Sequence, residues 1–383
     1  MQFTQPLPLA LYIHYPWCVE KCPYCDFNSH SAKTDVDERA YLQAMVTQLE
    51  RLLPGIWGRP VESIFFGGGT PSLISEEGLN WLLSQLRALL GFGPEIEITL
   101  EANPGTVDFE KFAGFYQAGI NRLSMGIQSF DNEKLKSLGR IHSSEEACLA
   151  IEAAKKAGFN NFNLDLMFAL PQQSLQQAID DVEQALQFEP PHLSHYQLTV
   201  EPNTPFYKNP PVLPEDDLAW EMQQACQKLI ADKGYQHYEV SAYAQPRKMC
   251  RHNYNYWQFG DYIGLGAGAH GKITMAPQGK VFRTQMPASP GGYVEAINRG
   301  DSGRITWLEP DDLEFEFMLN ALRLQSGFNL ELFAKRTGLE LDSIMPKING
   351  LEADKLIIVQ GRQLNLTNKG KQYLNDVIGA FLQ

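Results

Sequence analysis

Short apolar runs alternate with amphipathic stretches along residues 9–200. The runs at Leu9–His14, Val61–Phe66, Ile96–Glu101, Arg122–Gly126, Asn160–Met167 and His192–Leu198 have the length and content of strands. Between them, Asp37–Leu53, Glu76–Leu90, Asp108–Ala118, Ser144–Lys156 and Leu175–Leu186 read as helices, several with apolar residues at helical spacing, as Leu79, Leu82, Leu83, Leu86 and Leu90 show. Gly91, Gly119 and Gly158 stand just past three helix ends, where a left-handed cap is expected. Strand–helix alternation predicts parallel β/α units. Six such repeats fit an α/β fold built as a partial (β/α)6 barrel better than a full eight-unit one. Reactive groups in such folds sit at the C-terminal ends of the strands.

The pattern changes twice. Pro202–Pro214 reads as a loop leaving the barrel, and Met286–Gly292 as a second break. From about Leu313 short helices precede a hairpin, with strands Leu356–Val359 and Gln363–Leu366 and a turn at Gly361–Arg362. The expected organisation is a barrel core over 1–200, an extension and linker over 201–305, and a small winged-helix-like domain over 306–383.

Composition narrows the function. The 383 residues are 44% hydrophobic and 20% charged, a globular profile without disordered bias. The longest apolar runs, such as Leu164–Leu170, are far shorter than the ~20 residues of a membrane span. The N-terminus carries no basic leader with a cleavage site, so a cytoplasmic location is expected. A net charge of −13 opposes general nucleic-acid binding, which needs an excess of Lys and Arg. The acidic stretch Asp311–Asp354 argues the same against an RNA role for the C-terminal domain.

Three of six cysteines fall together as Cys18-x3-Cys22-x2-Cys25, directly after the first strand. Disulfides are not expected in the cytoplasm, so the trio suggests metal, while Cys148, Cys226 and Cys250 read as buried small hydrophobes. Three thiolates on a short loop suit an iron–sulfur cluster; four irons with three local ligands leave one iron for an external molecule. A zinc site completed by His14, Asp26 or His30 is the alternative on spacing alone.

YIHYPWCVEKCPYC, with the aromatic Tyr24 before the third cysteine, resembles the radical S-adenosylmethionine superfamily. FGGGTPSL (Phe66–Leu73) is similar to its glycine motif, where a missing Cβ allows close ligand approach. TLEANPGT, RLSMGIQSF, LGRIHSS, NLDLMFALP, HYQLTVEPNTPFY and HNYNYWQFGDYIGLGAGAHG extend the resemblance to the oxygen-independent coproporphyrinogen III oxidase family, and within it to the heme-chaperone branch. The resemblance implies a [4Fe–4S] cluster on Cys18, Cys22 and Cys25 with S-adenosylmethionine on its open iron. It implies that Tyr12, Gly68 and Glu101 contact that molecule. It also implies that Tyr24, Gly69, Thr70, Gln128, Arg140, Asp165 and Gln197 match a second S-adenosylmethionine site of the oxidase.

Two departures bear on the branch. Phe27 stands where the oxidases carry a further cysteine, and only 17 residues precede Cys18, without their long N-terminal extension. His252-Asn253-Tyr254-Asn255-Tyr256-Trp257 matches the HN-x-x-YW motif of the heme-binding branch, making His252 the expected heme contact and His270 an expected neighbour of the S-adenosylmethionine region. The expected partners are heme and heme-acceptor proteins, with no nucleic acid and a peripheral membrane encounter only through the acceptors. A radical decarboxylase acting on coproporphyrinogen III is the competing expectation.

Overall fold

The computed structural model describes residues 1–32, 37–56 and 58–382. Strands are numbered β1 Leu9–Tyr15, β2 Val61–Gly68, β3 Phe92–Ala102, β4 Arg122–Gln128, β5 Phe162–Phe168, β6 His192–Gln197, β7 Gln236–Glu239, β8 Ala242–Ala244, β9 Asp261–Leu265, β10 His270–Met275, β11 Lys280–Gln285 and β12 Arg304–Trp307. Among the described residues these twelve form one open sheet, in the order β12-β11-β10-β9-β1-β2-β3-β4-β5-β6-β8-β7. The expected six β/α strands run parallel and adjacent from β1 to β6. A seventh parallel strand, β9, pairs with the outer edge of β1, Leu9 opposite Asp261. Antiparallel strands finish both edges, so the barrel stays incomplete.

The convex face carries the core. Leu9, Leu11 and Ile13 alternate along β1 and pack with Leu42, Met45 and Leu49 of the helix Glu38–Ile56. Helix starts follow the sequence: Ser143 with Glu146 and Ser174 with Gln177 form capping boxes, each satisfying two terminal N–H groups. Gly119 and Gly158 adopt the left-handed conformation expected of them. Gly91 does not, because the helix Glu76–Leu89 runs out through an extended Leu90 straight into β3.

The concave face is polar at its floor. Asn163 Oδ1 accepts from His192 Nδ1 at 2.7 Å, and His192 Nε2 meets the Tyr238 hydroxyl at 2.8 Å. The helix Arg251–Trp257 plugs this floor: the backbone N–H groups of Arg251 and His252 donate to Glu97 Oε1 at 2.9 and 3.3 Å. The plug closes the N-terminal ends of the strands and leaves their C-terminal ends open.

A second core lies in the C-terminal segment. Leu313, Phe317, Phe333, Ile348, Ile357, Leu364 and Val377 are buried together beneath the helices Pro310–Ala321, Glu331–Thr337 and Met345–Ala353. The hairpin pairs Ile357–Gln360 with Gln363–Leu366 around Gly361 at φ 63°. Met1 and Phe3 pack against this core, and Gln2 N–H donates to the Gly338 carbonyl at 2.8 Å. No helix among the described residues is long and apolar enough to cross a membrane.

Candidate functional site

The cysteine loop leaves β1 and is closed by a two-residue parallel ladder, Trp17 opposite His30 and Cys18 opposite Ser31. Within it Cys25 N–H turns back to the Cys22 carbonyl at 3.1 Å, and Lys21 Nζ donates to the Phe27 carbonyl at 3.0 Å. His14 and His30 do not face the thiols as ligands. His14 Nε2 reaches the Asn28 carbonyl at 2.8 Å and His30 Nε2 the Asn28 Oδ1 at 3.2 Å, so both brace the loop.

The glycine turn after β2 is stitched to the same loop: Gly69 N–H donates to the Tyr15 carbonyl at 2.8 Å. The approach is too close for side chains. A Cβ on Gly69 would fall 2.6 Å from the Trp17 carbonyl oxygen, and one on Gly68, at φ 115°, 2.6 Å from the His14 ring.

A cavity of about 440 Å³ opens at the C-terminal strand ends. It gathers Cys18, Cys22 and Cys25 with Tyr24, Gly68, Gly69, Thr70, Glu101, Gln128, Arg140, Asp165 and Gln197. Of the expected S-adenosylmethionine contacts Tyr12 lies elsewhere, as does His270, the expected neighbour of that region; both line a second cavity, of about 570 Å³. The Tyr12 hydroxyl meets His14 Nδ1 at 3.0 Å. Gly68, Glu101 and Phe27 line both cavities and form the ridge between them. The geometry therefore divides the residues differently from the resemblance, placing the set matched to a second cofactor beside the thiols.

Electrostatics suit a charged, polar ligand. Arg140 Nη2 donates to the Gly126 carbonyl at 2.7 Å and Nη1 approaches Cys22 Sγ at 3.6 Å, while its buried Nε has no partner among the described residues. Arg140 pairs with neither Glu101 nor Asp165 among the described residues, whereas the buried Arg122 lies near enough to Asp165 to favour its ionised form. Burial pushes the Glu101 carboxyl up to about 8, with Asp165 nearby adding to it. Burial also raises Asp165, opposed by Asn163 Nδ2 at 2.8 Å and Ser124 Oγ at 3.0 Å. Gln128 is held at φ 70°, an unusual conformation for a side-chain-bearing residue, and accepts from the Tyr196 hydroxyl at 2.9 Å.

The donor set fits a cluster better than a lone ion. All three cysteines are free thiols, and Cys18 and Cys25 are raised above the ordinary thiol range by burial. Among the described residues no three His, Cys, Asp or Glu side chains converge on a single-ion site. The three thiols line the wall of one cavity. Tyr196 and Met167 also line this cavity and were not anticipated; their places at the ends of β6 and β5 were the available signal.

His252 lies outside both cavities. It is 1% exposed, with Nδ1 at 3.1 Å from Ser63 Oγ and Nε2 at 2.8 Å from the Tyr256 hydroxyl. Burial lowers its pKa to about 3, with Arg122 contributing. Iron ligation would require breaking one of these hydrogen bonds and moving the floor helix. His142, His192 and His237 are likewise hydrogen-bonded packing residues, and His195 stacks on Phe168.

A parallel fan bearing a three-cysteine loop and a glycine turn at its open end defines a radical S-adenosylmethionine protein. The Radical SAM superfamily profile matches residues 12–185, and the HemN C-terminal domain profile matches 308–373. The chain is 45% identical over 379 residues to the heme chaperone HemW of Haemophilus influenzae, covering 98% of each. It is 46% identical over 375 residues to heme chaperone HemW of Escherichia coli, again covering 98% of each. Its fold superposes on coproporphyrinogen III oxidase (HemN) from Escherichia coli with a TM-score of 0.83 at 22% identity, covering 98% of this chain and 90% of that one. The chain belongs to the HemW family of radical S-adenosylmethionine proteins.

Proposed function

We propose that this protein binds heme and delivers it to acceptor proteins, with a [4Fe–4S] cluster on Cys18, Cys22 and Cys25 and an exchangeable S-adenosylmethionine beside it. The observation that carries the reading is kinship along the whole chain with proteins named as heme chaperones. When bound, the cluster supplies an electron to the sulfonium of S-adenosylmethionine. The protein's own residues bind and orient. Arg140 presents its guanidinium to the carboxylate from the cavity wall, and Gly69 and Thr70 line that wall beside the thiols. Asp165 and Glu101 accept from ribose hydroxyls or the ammonium group, and Tyr24 packs against the adenosyl moiety. Gln128 and Gln197 complete the polar wall. Tyr12 supports the ridge from behind.

Anaerobic reconstitution of the full chain tests this reading through iron and sulfide content, spectra with and without S-adenosylmethionine, and heme transfer to an apo-heme protein. A stable heme complex that loads the acceptor is expected; a protein that takes up no heme refutes the reading. The oxidase is the competing reading, favoured by the polar wall retained beside the thiols. Formation of protoporphyrinogen from coproporphyrinogen III under reductant and S-adenosylmethionine would establish it instead.

A further inference from the structure

We propose that the second cavity, on the far side of the Gly68–Glu101 ridge, is where heme sits, with His270 as its iron ligand. This inference rests on the heme reading above. At about 570 Å³ the cavity lies within the roughly 300–1,000 Å³ of small-molecule pockets. Tyr12, Phe27, Tyr256, Trp257 and Tyr262 give it an aromatic wall, which suits a flat macrocycle. Phe27, 61% exposed, stands at the rim that the two cavities share.

Two histidines line this cavity and a third lies behind it. His14 has both ring nitrogens engaged, by Tyr12 and by the Asn28 carbonyl. His252 has both engaged, and its hydrogen bond ends on Tyr256, whose ring is part of the wall. The exposed His270 ring makes no hydrogen bond to any described residue, leaving a nitrogen lone pair for iron. Its place is built by Gly264: a Cβ there would fall 1.9 Å from the His270 carbonyl oxygen, so only glycine lets β10 begin this close to β9. Arg283 stands at the same cavity, 25% exposed, and is shared with Glu316 at 2.6 Å. Its charge is balanced by Glu316 and its Nη1 donates to the Tyr262 hydroxyl, so it braces the aromatic wall.

This placement also gives the HN-x-x-YW motif a role without direct ligation. His252 is a positioning residue that fixes the Tyr256 hydroxyl, while Tyr256 and Trp257 form the wall. A ligand at an open rim suits a carrier. Handover exchanges the iron–His270 bond for a bond to an acceptor's own ligand, with no electron transferred.

The test is hemin titration of the full-length, cluster-reconstituted protein, read by Soret and electron paramagnetic resonance spectra. His270→Ala is expected to weaken binding by at least about tenfold, because even groups that only orient a ligand change metal affinity about 10–100-fold. Added imidazole should restore the histidine-type spectrum, and His270→Cys should convert it to a thiolate-type one. His252→Gln should weaken binding yet keep the histidine-type spectrum. Should His270→Ala bind hemin with unchanged affinity and spectrum, the site assignment is overturned while the heme reading stands. Wild-type protein that takes up no hemin overturns the heme reading itself.

Discussion

The Thr70 backbone N–H donates to the Trp17 carbonyl at 2.7 Å, one residue before the first cysteine of the motif. The glycine turn and the cysteine loop are therefore one hydrogen-bonded unit. Gly69→Ala drives a methyl group against that same carbonyl. Overpacking of this kind costs about 1–3 kcal/mol, and here the strain falls on the cysteine loop. The variant should fold with a lowered Tm and retain substantially less iron and sulfide after reconstitution; full cluster content at wild-type Tm would refute this coupling.

Replacing Cys18, Cys22 or Cys25 singly by Ala should reduce cluster content to background. Iron and sulfide analysis after anaerobic reconstitution reads this directly, and a variant with a full complement would remove that cysteine from the ligand set. Cys148→Ala, at a thiol outside the cavity, should assemble normally.

Arg140→Ala removes the guanidinium that lines the cavity beside the thiols. Hydrogen bonds to charged groups contribute roughly 1.5–3 kcal/mol, so S-adenosylmethionine affinity should fall about tenfold or more. Equilibrium binding to the reconstituted protein measures it. An unchanged Kd would place the cofactor's carboxylate elsewhere.

Glu101 gives a pH signature. Its folded-state pKa is raised to about 8 from 4.5, so between those values the folded protein holds a proton that the unfolded chain has lost. Stability of the ligand-free protein should therefore fall as pH rises from about 4.5 towards 8. Glu101→Gln cannot ionise and should flatten that slope. Thermal unfolding across this range checks it, and parallel profiles for both proteins would exclude Glu101 as the source.

Asp261 anchors the seam at the start of β9. It is fully buried and meets Lys272 Nζ and Arg59 Nη2, each at 2.9 Å. Burial alone would raise its carboxyl, yet Lys272 and Arg59 hold it below the usual carboxylate range. Asp261→Ala leaves Lys272 buried without its counter-charge, a loss of about 3–5 kcal/mol by chemical denaturation. A loss below about 1 kcal/mol would show that Lys272 escapes to water or sheds its proton.

Periodicity made β1 to β6 legible because each is a buried parallel strand with a clear apolar run and a helix behind it. The later strands were not. The GLGAGAHG stretch hides the junction of β9 and β10 behind glycines whose purpose is backbone proximity, which has no periodic signature. β12 reads Arg304-Ile305-Thr306-Trp307 and is exposed throughout, so no alternation marks it. At the site, cysteine spacing and the glycine turn announced themselves, and residue types at strand ends supplied most of the remaining wall. What sequence could not separate was which side of the ridge each residue faces, as with Tyr12. Nor could it show that His252 points into a closed floor, because a motif gives residue types and not the direction of a ring.

The pairing of β9 with β1 joins segments from opposite ends of the large sheet's sequence. During synthesis β1 keeps a bare edge, and the concave floor stays without its plug, until residues 250–265 have been made. Exposed edges and unpaired polar groups of this kind invite misassembly and favour chaperone assistance. A fragment ending near residue 200 inherits the same defect permanently, so it should aggregate more readily than the full-length chain.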